Sequence, residues 1–584
     1  MHPAPGSSRR WDNLRVLAGF ARPHLPALAF GLFLALGGSA ATLATPMVTK
    51  GVLDALGTDA SLGGPVLVLV ALLAVGVVLG CAQWIVLGVV AEKVVYDART
   101  SLVRRFFAAT VPGLQQRSVG ELVTRVTSDT ILLREAASSA AVNIINAAAL
   151  TLGTIVLMGV LDPPLLGVTL AAIAVTGVLF GILMPRIAAA ESRMQESLGG
   201  LGGKLEGGLR ALRTVKVSRA ENRIGNLITA DAADARRHAV TAVRVSATAW
   251  TVAWTGVQGS VIAILGFGAW RVADGEMAVS TLIAFLLYAI TLMGPVGELA
   301  QNVTALQSGI AAAVRIRQME DLPVEHADTG TASAMPALES TMIEMRNVTV
   351  RYPGAATAAL QEVSLTIPAR GHTAIVGPSS AGKTTVLSTI LRFVEPDDGQ
   401  VLLGGIPYTQ LNHDTVRAQV AYVEQETPVL PGTIRENIAF SNPDASEAEV
   451  WDVLRMLHLE PAIKALPKGL DTPLTETSLS GGQRQRIAMA RALLRPARIL
   501  LLDEATAQVD TITEAAIVDA IAERARTGSV VTVAHRLSTV RNADRIVLME
   551  NGTIRSIGDH DQLVATDELY REMVHAGRLE TTVA

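Results

Sequence analysis

The chain has 584 residues, of which 50% are hydrophobic and 17% charged, and its mean hydropathy of +0.38 is too high for an ordinary soluble protein of this length. Its formal net charge of -4 and its pI of about 6.2 exclude the overall basic excess of a nucleic-acid-binding chain, so the lipid bilayer is the expected partner. The single cysteine, Cys81, lies in an apolar run and excludes both a disulfide framework and a cysteine metal cluster.

Six apolar segments in the first half of the chain are long enough to cross a hydrocarbon core of about 30 Å. Charged residues mark the ends of these segments, because a charge at the centre of a membrane helix costs roughly 2.5 to 3.5 kcal/mol. A cleaved secretory or twin-arginine signal is disfavoured, since the first apolar stretch is too long and five more follow. We predict membrane spans at residues 25–48, 66–90, 140–160, 165–184, 245–270 and 280–296.

The connections between these spans alternate in length and in charge. Basic residues collect before the first span and in the two long connections, residues 91–139 and 185–244. By the positive-inside rule, both termini and the long connections are expected in the cytosol. The long connections keep a helical period, so we expect them to extend the membrane helices and to turn near residues 112–120 and 207–218. Arginine greatly outnumbers lysine, which is typical of a GC-rich bacterial genome, and we therefore expect a bacterial cytoplasmic membrane.

After residue 322 the helical pattern gives way to a polar segment of small residues, 323–342, which we interpret as an interdomain linker. From residue 343 onwards, short β-rich runs alternate with helical runs and glycine-rich turns, as in a parallel α/β domain. The predicted fold is therefore multidomain. An all-α six-helix transmembrane domain with long cytosolic helix extensions, residues 1–322, is followed by an α/β domain, residues 343–584.

A glycine-rich segment follows an apolar strand that ends at Val376 and precedes a helix-prone run, which is the context that a P-loop requires. Its glycines let backbone N–H groups surround phosphate oxygens, the helix N-terminus adds a positive dipole end, and Lys383 reaches the β- and γ-phosphates. The hydroxyl of Thr384 is the expected Mg²⁺ ligand. The second domain is thus predicted to be a P-loop nucleotide-binding domain that uses ATP and Mg²⁺. Its predicted ATP-binding residues here are Gly377, Pro378, Ser379, Ser380, Ala381, Gly382, Lys383, Thr384 and Thr385.

A second apolar strand, residues 499–502, ends in two carboxylates, Asp503 and Glu504. Parallel sheets bind ligands at the carboxyl ends of their strands, so Asp503 is the expected acidic partner of Mg²⁺. Glu504 then lies where a water molecule attacks the γ-phosphate. Acidic residues at a strand end are by themselves most often solvated, and the P-loop is what favours the catalytic interpretation.

A third segment, residues 479–483, is followed by a helix-prone run, residues 484–492; the two resemble the signature motif and signature helix of ATP-binding-cassette (ABC) proteins. The residues of this motif are Leu479, Ser480, Gly481, Gly482 and Gln483. The order of six spans followed by one cassette is similar to that of the half-size, type IV exporters of this family. The resemblance also implies that Tyr352 stacks on adenine and that Asp510 belongs to the D-loop. It implies two further catalytic contacts: Gln425, in the Q-loop, contacts Mg²⁺ or the attacking water, and His535, the switch histidine, contacts the γ-phosphate.

Two departures from the family pattern concern communication between the ATP sites and the membrane helices rather than hydrolysis. The family commonly has Ser-Ala-Leu-Asp where this chain has Ala507-Gln-Val-Asp510, so the aspartate is kept and the serine is not. The stretch before the signature, residues 471–478, is shorter than usual and lacks its glycines.

In this family the signature residues cover the ATP that is bound by a second cassette, so a chain with one cassette implies a dimer. Every residue of a competent site is present, which makes a homodimer the simpler expectation and a different partner subunit the alternative. The resemblance implies alternating access, in which ATP clamps two cassettes together and hydrolysis resets them.

Polar side chains within a bilayer should face the helix bundle or water, which makes them candidates for substrate contact. Helix-to-helix hydrogen bonding is the alternative for amides, and interfacial anchoring is the alternative for tryptophans near span ends. The favoured function is export of an amphipathic small molecule, lipid or peptide. Import of a siderophore-like substrate, or an ATP-gated regulator that does not transport, are the alternatives. The candidate substrate path comprises Trp250, Trp254, Gln258, Tyr288 and Glu298.

Overall fold

The computed structural model describes residues 7–56, 61–325, 341–474, 480–504, 511–534 and 536–580. The chain forms two compact units, one made of Met1–Phe107 and Arg117–Leu322 and the other of Ala108–Gln116 and Pro323–Ala584. The chain therefore passes between the units after Phe107, after Gln116 and after Leu322. Residues 108–116, which the sequence analysis assigns to the membrane domain, belong to the second unit.

The first unit is built of helices. The helices up to residue 320 are α1 (Ser7–Ala21), α2 (Leu25–Leu56), α3 (Gly63–Ala108), α4 (Val111–Gln115), α5 (Val119–Thr124), α6 (Thr130–Glu135), α7 (Ala141–Leu161), α8 (Pro163–Arg210), α9 (Leu212–Val217), α10 (Glu221–Ala273), α11 (Val279–Thr291) and α12 (Met293–Glu320). Of these, α4 belongs to the second unit. A π-helical turn flanks α6 on each side, at Arg125–Asp129 and Ala136–Ala140.

Several of these helices have the length and hydropathy to cross a membrane. Among the described residues there are five such stretches: Asp12–Leu56, Gly63–Ala108, Val119–Leu161, Glu221–Ala273 and Val279–Glu320. The fourth predicted span lies within α8, where the apolar stretch that the structure describes is the shorter Pro163–Val175. With 48 and 53 residues, α8 and α10 far exceed the roughly 20 residues that one crossing needs, so both extend beyond a bilayer.

Two groups of ion pairs in the first unit join different helices. Asp162 caps α8 by accepting from the Leu165 N–H at 2.9 Å, and it pairs at 3.1 Å with Arg271 in the last turn of α10. Far from this end, Asp129 accepts from Arg125 at 2.8 Å and from Arg315 of α12 at 2.5 Å. These pairs fix α8 to α10 at one end and α12 to the segment around α6 at the other.

The strands that the structure describes in the second unit form two sheets. The four-stranded sheet has the antiparallel order β2-β1-β4-β5, formed by β1 (Thr341–Val350), β2 (Leu360–Pro368), β4 (Asp398–Leu403) and β5 (Ile406–Pro407). The six-stranded sheet has the order β10-β9-β3-β8-β7-β6, formed by β3 (Gly371–Val376), β6 (Val420–Val423), β7 (Ile499–Asp503), β8 (Ser529–Val533), β9 (Arg545–Glu550) and β10 (Thr553–Gly558). It is parallel except at the edge, where β10 runs antiparallel to β9.

The helices of this unit after residue 380 are α13 (Lys383–Ile390), α14 (His413–Ala418), α15 (Ile434–Ile438), α16 (Glu447–Met456), α17 (Glu460–Lys464), α18 (Gly481–Leu494), α19 (Thr511–Thr527), α20 (Leu537–Arg541), α21 (His560–Thr566) and α22 (Glu568–Glu580). One apolar core contains residues of both sheets and of α13, and a second contains residues of α16, α18 and α19. Strands β3, β7 and β8 are almost fully buried, so they bring the residues that follow them to one carboxyl edge of the sheet.

Candidate active site

The turn from β3 into α13 is a tight loop whose shape depends on two glycines. Gly377 has a φ of 153° and Gly382 a φ of 98°, both in the region that side-chain-bearing residues rarely adopt. A Cβ atom on Gly377 would lie 2.2 Å from the carbonyl oxygen of Met549, and one on Gly382 would lie 2.7 Å from that of Ala359. Only glycine fits at these positions, which is the steric reason for the spacing in the sequence.

Lys383 begins α13 and is only 6% exposed. Its Nζ donates to the carbonyl oxygens of Gly377 and Pro378, both at 2.8 Å. Burial lowers the pKa of this ammonium, while the charges of Glu504 and Asp503 raise it. A phosphate oxygen of a nucleotide can replace those carbonyls as the acceptor for Lys383 Nζ, next to the positive N-terminus of a helix. The loop is therefore suited to bind phosphate.

Two strands bring three polar side chains to the same edge of the sheet. Asp503 ends β7 and is 2% exposed. Glu504 follows with a φ of 50°, and its N–H donates to the Val533 carbonyl oxygen at 3.1 Å. Its Oε2 accepts from Nε2 of Gln425, just after β6, at 2.8 Å. A left-handed conformation at a residue other than glycine costs about 1 to 3 kcal/mol and is typical of functional sites.

Four of the predicted signature residues, Ser480 to Gln483, form the N-terminus of α18. Ser480 is the N-cap, since its Oγ accepts from the Gln483 N–H at 3.3 Å and its own N–H donates to Oε1 of Gln483 at 2.9 Å. Gly481 and Gly482 occupy the first helical positions. Because Ser480 is exposed, the positive end of this helix is open to an anionic group.

The remaining predicted site residues are placed as follows. Pro378, Ser379, Ser380 and Thr384 are exposed on the P-loop side of the sheet edge, whereas Ala381 and Thr385 are buried. Tyr352 is half-buried after β1, and its carbonyl accepts from the Ala355 N–H at 3.0 Å. Three further predictions, Leu479, Asp510 and His535, lie outside the described residues.

Some side chains of the candidate substrate path are exposed, and one is buried. Trp250 and Trp254 are 71% and 67% exposed on α10, and Gln258 on the same helix is also exposed. Glu298 is exposed on α12. Tyr288 has no exposed surface, and its hydroxyl donates to the Leu43 carbonyl oxygen at 2.6 Å. The structure therefore places Tyr288 in the packed core of the membrane domain rather than on an open surface.

Main-chain groups that sequence reasoning did not identify complete the site. The carbonyl oxygens of Ala359 and Met549 lie so close to the loop glycines that they leave no room for a Cβ atom there. The Gly552 N–H donates to the Ala381 carbonyl at 3.1 Å. No side-chain pattern can reveal such contacts, because any residue type supplies the same backbone atoms. They pin the loop against the turn between β9 and β10.

The arrangement can bind and cleave a nucleoside triphosphate. The loop and Lys383 suit the phosphates, and the carboxylate of Glu504 lies at the same edge of the sheet, held by Gln425. Asp503, Thr384 and Gln425 offer carboxylate, hydroxyl and amide oxygens, which are the ligands that Mg²⁺ prefers.

Comparisons with known proteins agree with this chemistry. A family model described as the ABC transporter transmembrane region matches residues 28–296, and one described as ABC transporter matches residues 360–507. The chain is 30% identical to the ATP-dependent lipid A-core flippase of Syntrophus aciditrophicus, over 96% of this chain and 93% of that protein. It is 28% identical to a multidrug resistance ABC transporter ATP-binding and permease protein of Lactococcus lactis, over 95% and 94% of the two chains.

Among solved structures, a bacterial Atm1-family ABC exporter with ATP bound has a TM-score of 0.76 and 25% sequence identity. This likeness covers 94% of this chain and 98% of the exporter chain. The chain belongs to the ABC transporter family, as a half-size exporter in which a helical membrane domain precedes an ATP-hydrolysing nucleotide-binding domain.

Proposed function

We propose that this protein exports an amphipathic small molecule, lipid or peptide across a bacterial cytoplasmic membrane, as a homodimer working by alternating access. The observation that carries the proposal is the contact between Gln425 and Glu504 at 2.8 Å, in a chain whose first half is a membrane domain. A regulator that only senses ATP does not need a strained, positioned catalytic carboxylate. The intact site therefore favours transport driven by hydrolysis.

In the proposed reaction, Lys383 and the loop N–H groups hold the phosphates of ATP. Mg²⁺ on Thr384, Asp503 and Gln425 would neutralise charge that develops on the phosphate oxygens. Glu504 orients the attacking water and accepts its proton, and Gln425 fixes the direction of that carboxylate. We assign the switch contact to His535 and the D-loop to Asp510 by the family pattern.

The dimer follows from the division of the site between two chains. The open N-terminus of α18, with Ser480 at its cap, is the expected cover for the phosphates held by a second copy. This chain carries both halves, the P-loop and the signature, so two copies complete two sites. A heterodimer with another half-transporter is the alternative.

The proposed substrate class follows from the exposed face of α10. Trp250, Trp254 and Gln258 are spaced four residues apart, so they lie on one side of the helix and combine aromatic surface with an amide. Such a face suits a molecule with both apolar and polar parts. Relatives named as a lipid A-core flippase and as a multidrug resistance transporter support a substrate of this kind. We further propose six spans, with both termini and the nucleotide-binding domain in the cytosol.

Stimulation of ATP hydrolysis by substrate tests this proposal in purified protein reconstituted in lipid nanodiscs. Lipid-like and peptide amphipaths should stimulate the parent chain, whereas equally sized hydrophilic solutes should not. Trp254→Ala should raise the half-stimulating concentration roughly tenfold, since loss of a contacting tryptophan costs about 1 to 2 kcal/mol.

The matched control is Trp270→Ala, because Trp270 is 57% exposed on the same helix but lies near its C-terminal end. If both substitutions shift stimulation equally, the tryptophans act as interfacial anchors. Stimulation by none of the amphipaths would contradict the proposed substrate class.

A further inference from the structure

The chain enters the second unit after Phe107 and again after Leu322. The first residues of these two segments pair with each other within the second unit. Ala109 and Val324 form an antiparallel bridge. The Thr110 N–H donates to the Pro323 carbonyl at 2.8 Å, and the Glu325 N–H donates to the Ala108 carbonyl at 2.9 Å. We call residues 108–110 and 323–325 the crossing pair. Backbone hydrogen bonds in both directions make the crossing pair move as one piece.

A paired arginine anchors the crossing pair. The carboxylate of Glu325 accepts from Nη1 of Arg417 at 2.6 Å and from Nη2 at 2.8 Å. The two side chains are only 24% and 28% exposed. A bidentate guanidinium–carboxylate contact fixes orientation as well as distance, which a single charge contact does not.

The same guanidinium also holds the end of the P-loop helix. Arg417 Nε donates to the Leu391 carbonyl and Nη2 to the Arg392 carbonyl, both at 3.2 Å. Its Cζ lies 5.1 Å from the centre of the Phe393 ring. Leu391 and Arg392 directly follow α13. Arg417 therefore donates to carbonyls at the C-terminal, negative end of the helix that begins with Lys383.

The backbone of Arg417 leads to the catalytic side of the site. Arg417 lies in α14, and β6 begins three residues later and ends two residues before Gln425. The Arg417 carbonyl accepts from Nη2 of Arg495 at 2.8 Å, and β6 is paired in parallel register with β7 along its whole length. The backbone between Arg417 and Gln425 is therefore held in place by hydrogen bonds, and the amide of Gln425 in turn donates to Glu504.

We propose that Arg417 is a positioning residue for ATP hydrolysis, which ties the crossing pair to both ends of the active site. A displacement of residues 108–110 and 323–325 pulls on α13 through the guanidinium and on Gln425 through β6. This inference rests on the proposed roles of Gln425 and Glu504, and it adds a regulatory input to that site: the position of the chain where it leaves the membrane unit.

Glu325→Gln tests the proposal in the full-length dimer, because it removes the ion pair and leaves the carbonyl contacts of Arg417 in place. Basal ATPase kcat should fall about fivefold, while the KM for ATP stays within about twofold. Arg417→Gln should lower kcat at least as much. The double variant should be no slower than Arg417→Gln alone, since both changes break one connection.

The matched control is Glu344→Gln, on β1 of the same unit. It breaks a bidentate pair in which Nε and Nη2 of Arg346 each donate to a carboxylate oxygen of Glu344 at 2.7 Å. This control should keep the parental kcat. A Glu325→Gln chain with unchanged kcat but a lower unfolding temperature would make the pair merely structural, and multiplicative losses in the double variant would equally overturn the proposal. Basal hydrolysis needs no transported substrate, so failure of the export assignment would leave this comparison interpretable.

Discussion

Glu504→Gln is expected to slow steady-state ATP hydrolysis by roughly 10² to 10⁴, equivalent to about 3 to 5 kcal/mol of barrier, while ATP binding persists. The glutamine keeps the size of the side chain, and it keeps a carbonyl oxygen that can accept from Gln425, as Oε2 does at 2.8 Å. What it loses is the negative charge that accepts a proton from water. No packing effect of an isosteric change is as large, so the loss reports on chemistry.

Two measurements distinguish the outcomes for Glu504→Gln. Phosphate release should be nearly abolished, and nucleotide should remain bound to a closed dimer after rapid gel filtration. Glu550→Gln, a change at a surface carboxylate that pairs with Arg555 at 2.8 Å, is the control and should turn over normally. Near-normal turnover of the Glu504 variant would remove Glu504 from catalysis. Lost turnover without ATP binding would assign it to folding or to the metal site.

Mixed dimers of Lys383→Ala chains and Ser480→Ala chains are expected to regain ATPase activity that neither variant has alone. The first change removes the buried ammonium of the P-loop, and the second removes the cap of α18. In a mixed dimer, one composite site carries both defects and the other carries neither. Dimers isolated through two different affinity tags should therefore show up to about half of the parental activity.

This mixing experiment separates a shared site from a self-contained one. If each P-loop were covered by the signature of its own chain, both sites of a mixed dimer would be defective and no activity would return. Full activity from a parental chain shown by light scattering to be monomeric would also contradict the composite site.

The candidate nucleotide site was recognisable in the sequence because the constraints on its P-loop are local. The P-loop is contiguous, and its glycines are required by carbonyls that lie 2.2 Å and 2.7 Å from the atoms a side chain would add. The approach of Gln425 to Glu504 depends on the order of strands β6 and β7, which no local pattern gives. The family resemblance implied only that Gln425 contacts Mg²⁺ or the attacking water, and not that it bonds Glu504.

The contacts that sequence reasoning did not identify depend on tertiary packing. In an apolar helix, hydropathy does not distinguish a tyrosine on a substrate path from one whose hydroxyl bonds a neighbouring helix, as that of Tyr288 does. Arg417 and Glu325 are 92 residues apart and belong to no motif. The backbone bonds of residues 108–110 to residues 323–325 join segments that are far apart in the sequence, so no local pattern predicts them.

ATP-driven export is tested most directly by uptake into sealed inside-out membrane vesicles, with ATP added on the outside. In such vesicles the nucleotide-binding domain faces the added ATP, as the distribution of arginines predicts. A stimulating amphipath should accumulate in the lumen with the parent chain and ATP, and should fail to accumulate without ATP or with the Glu504→Gln chain. Equal accumulation in all three cases, or ATP-dependent movement only out of the lumen, would contradict export.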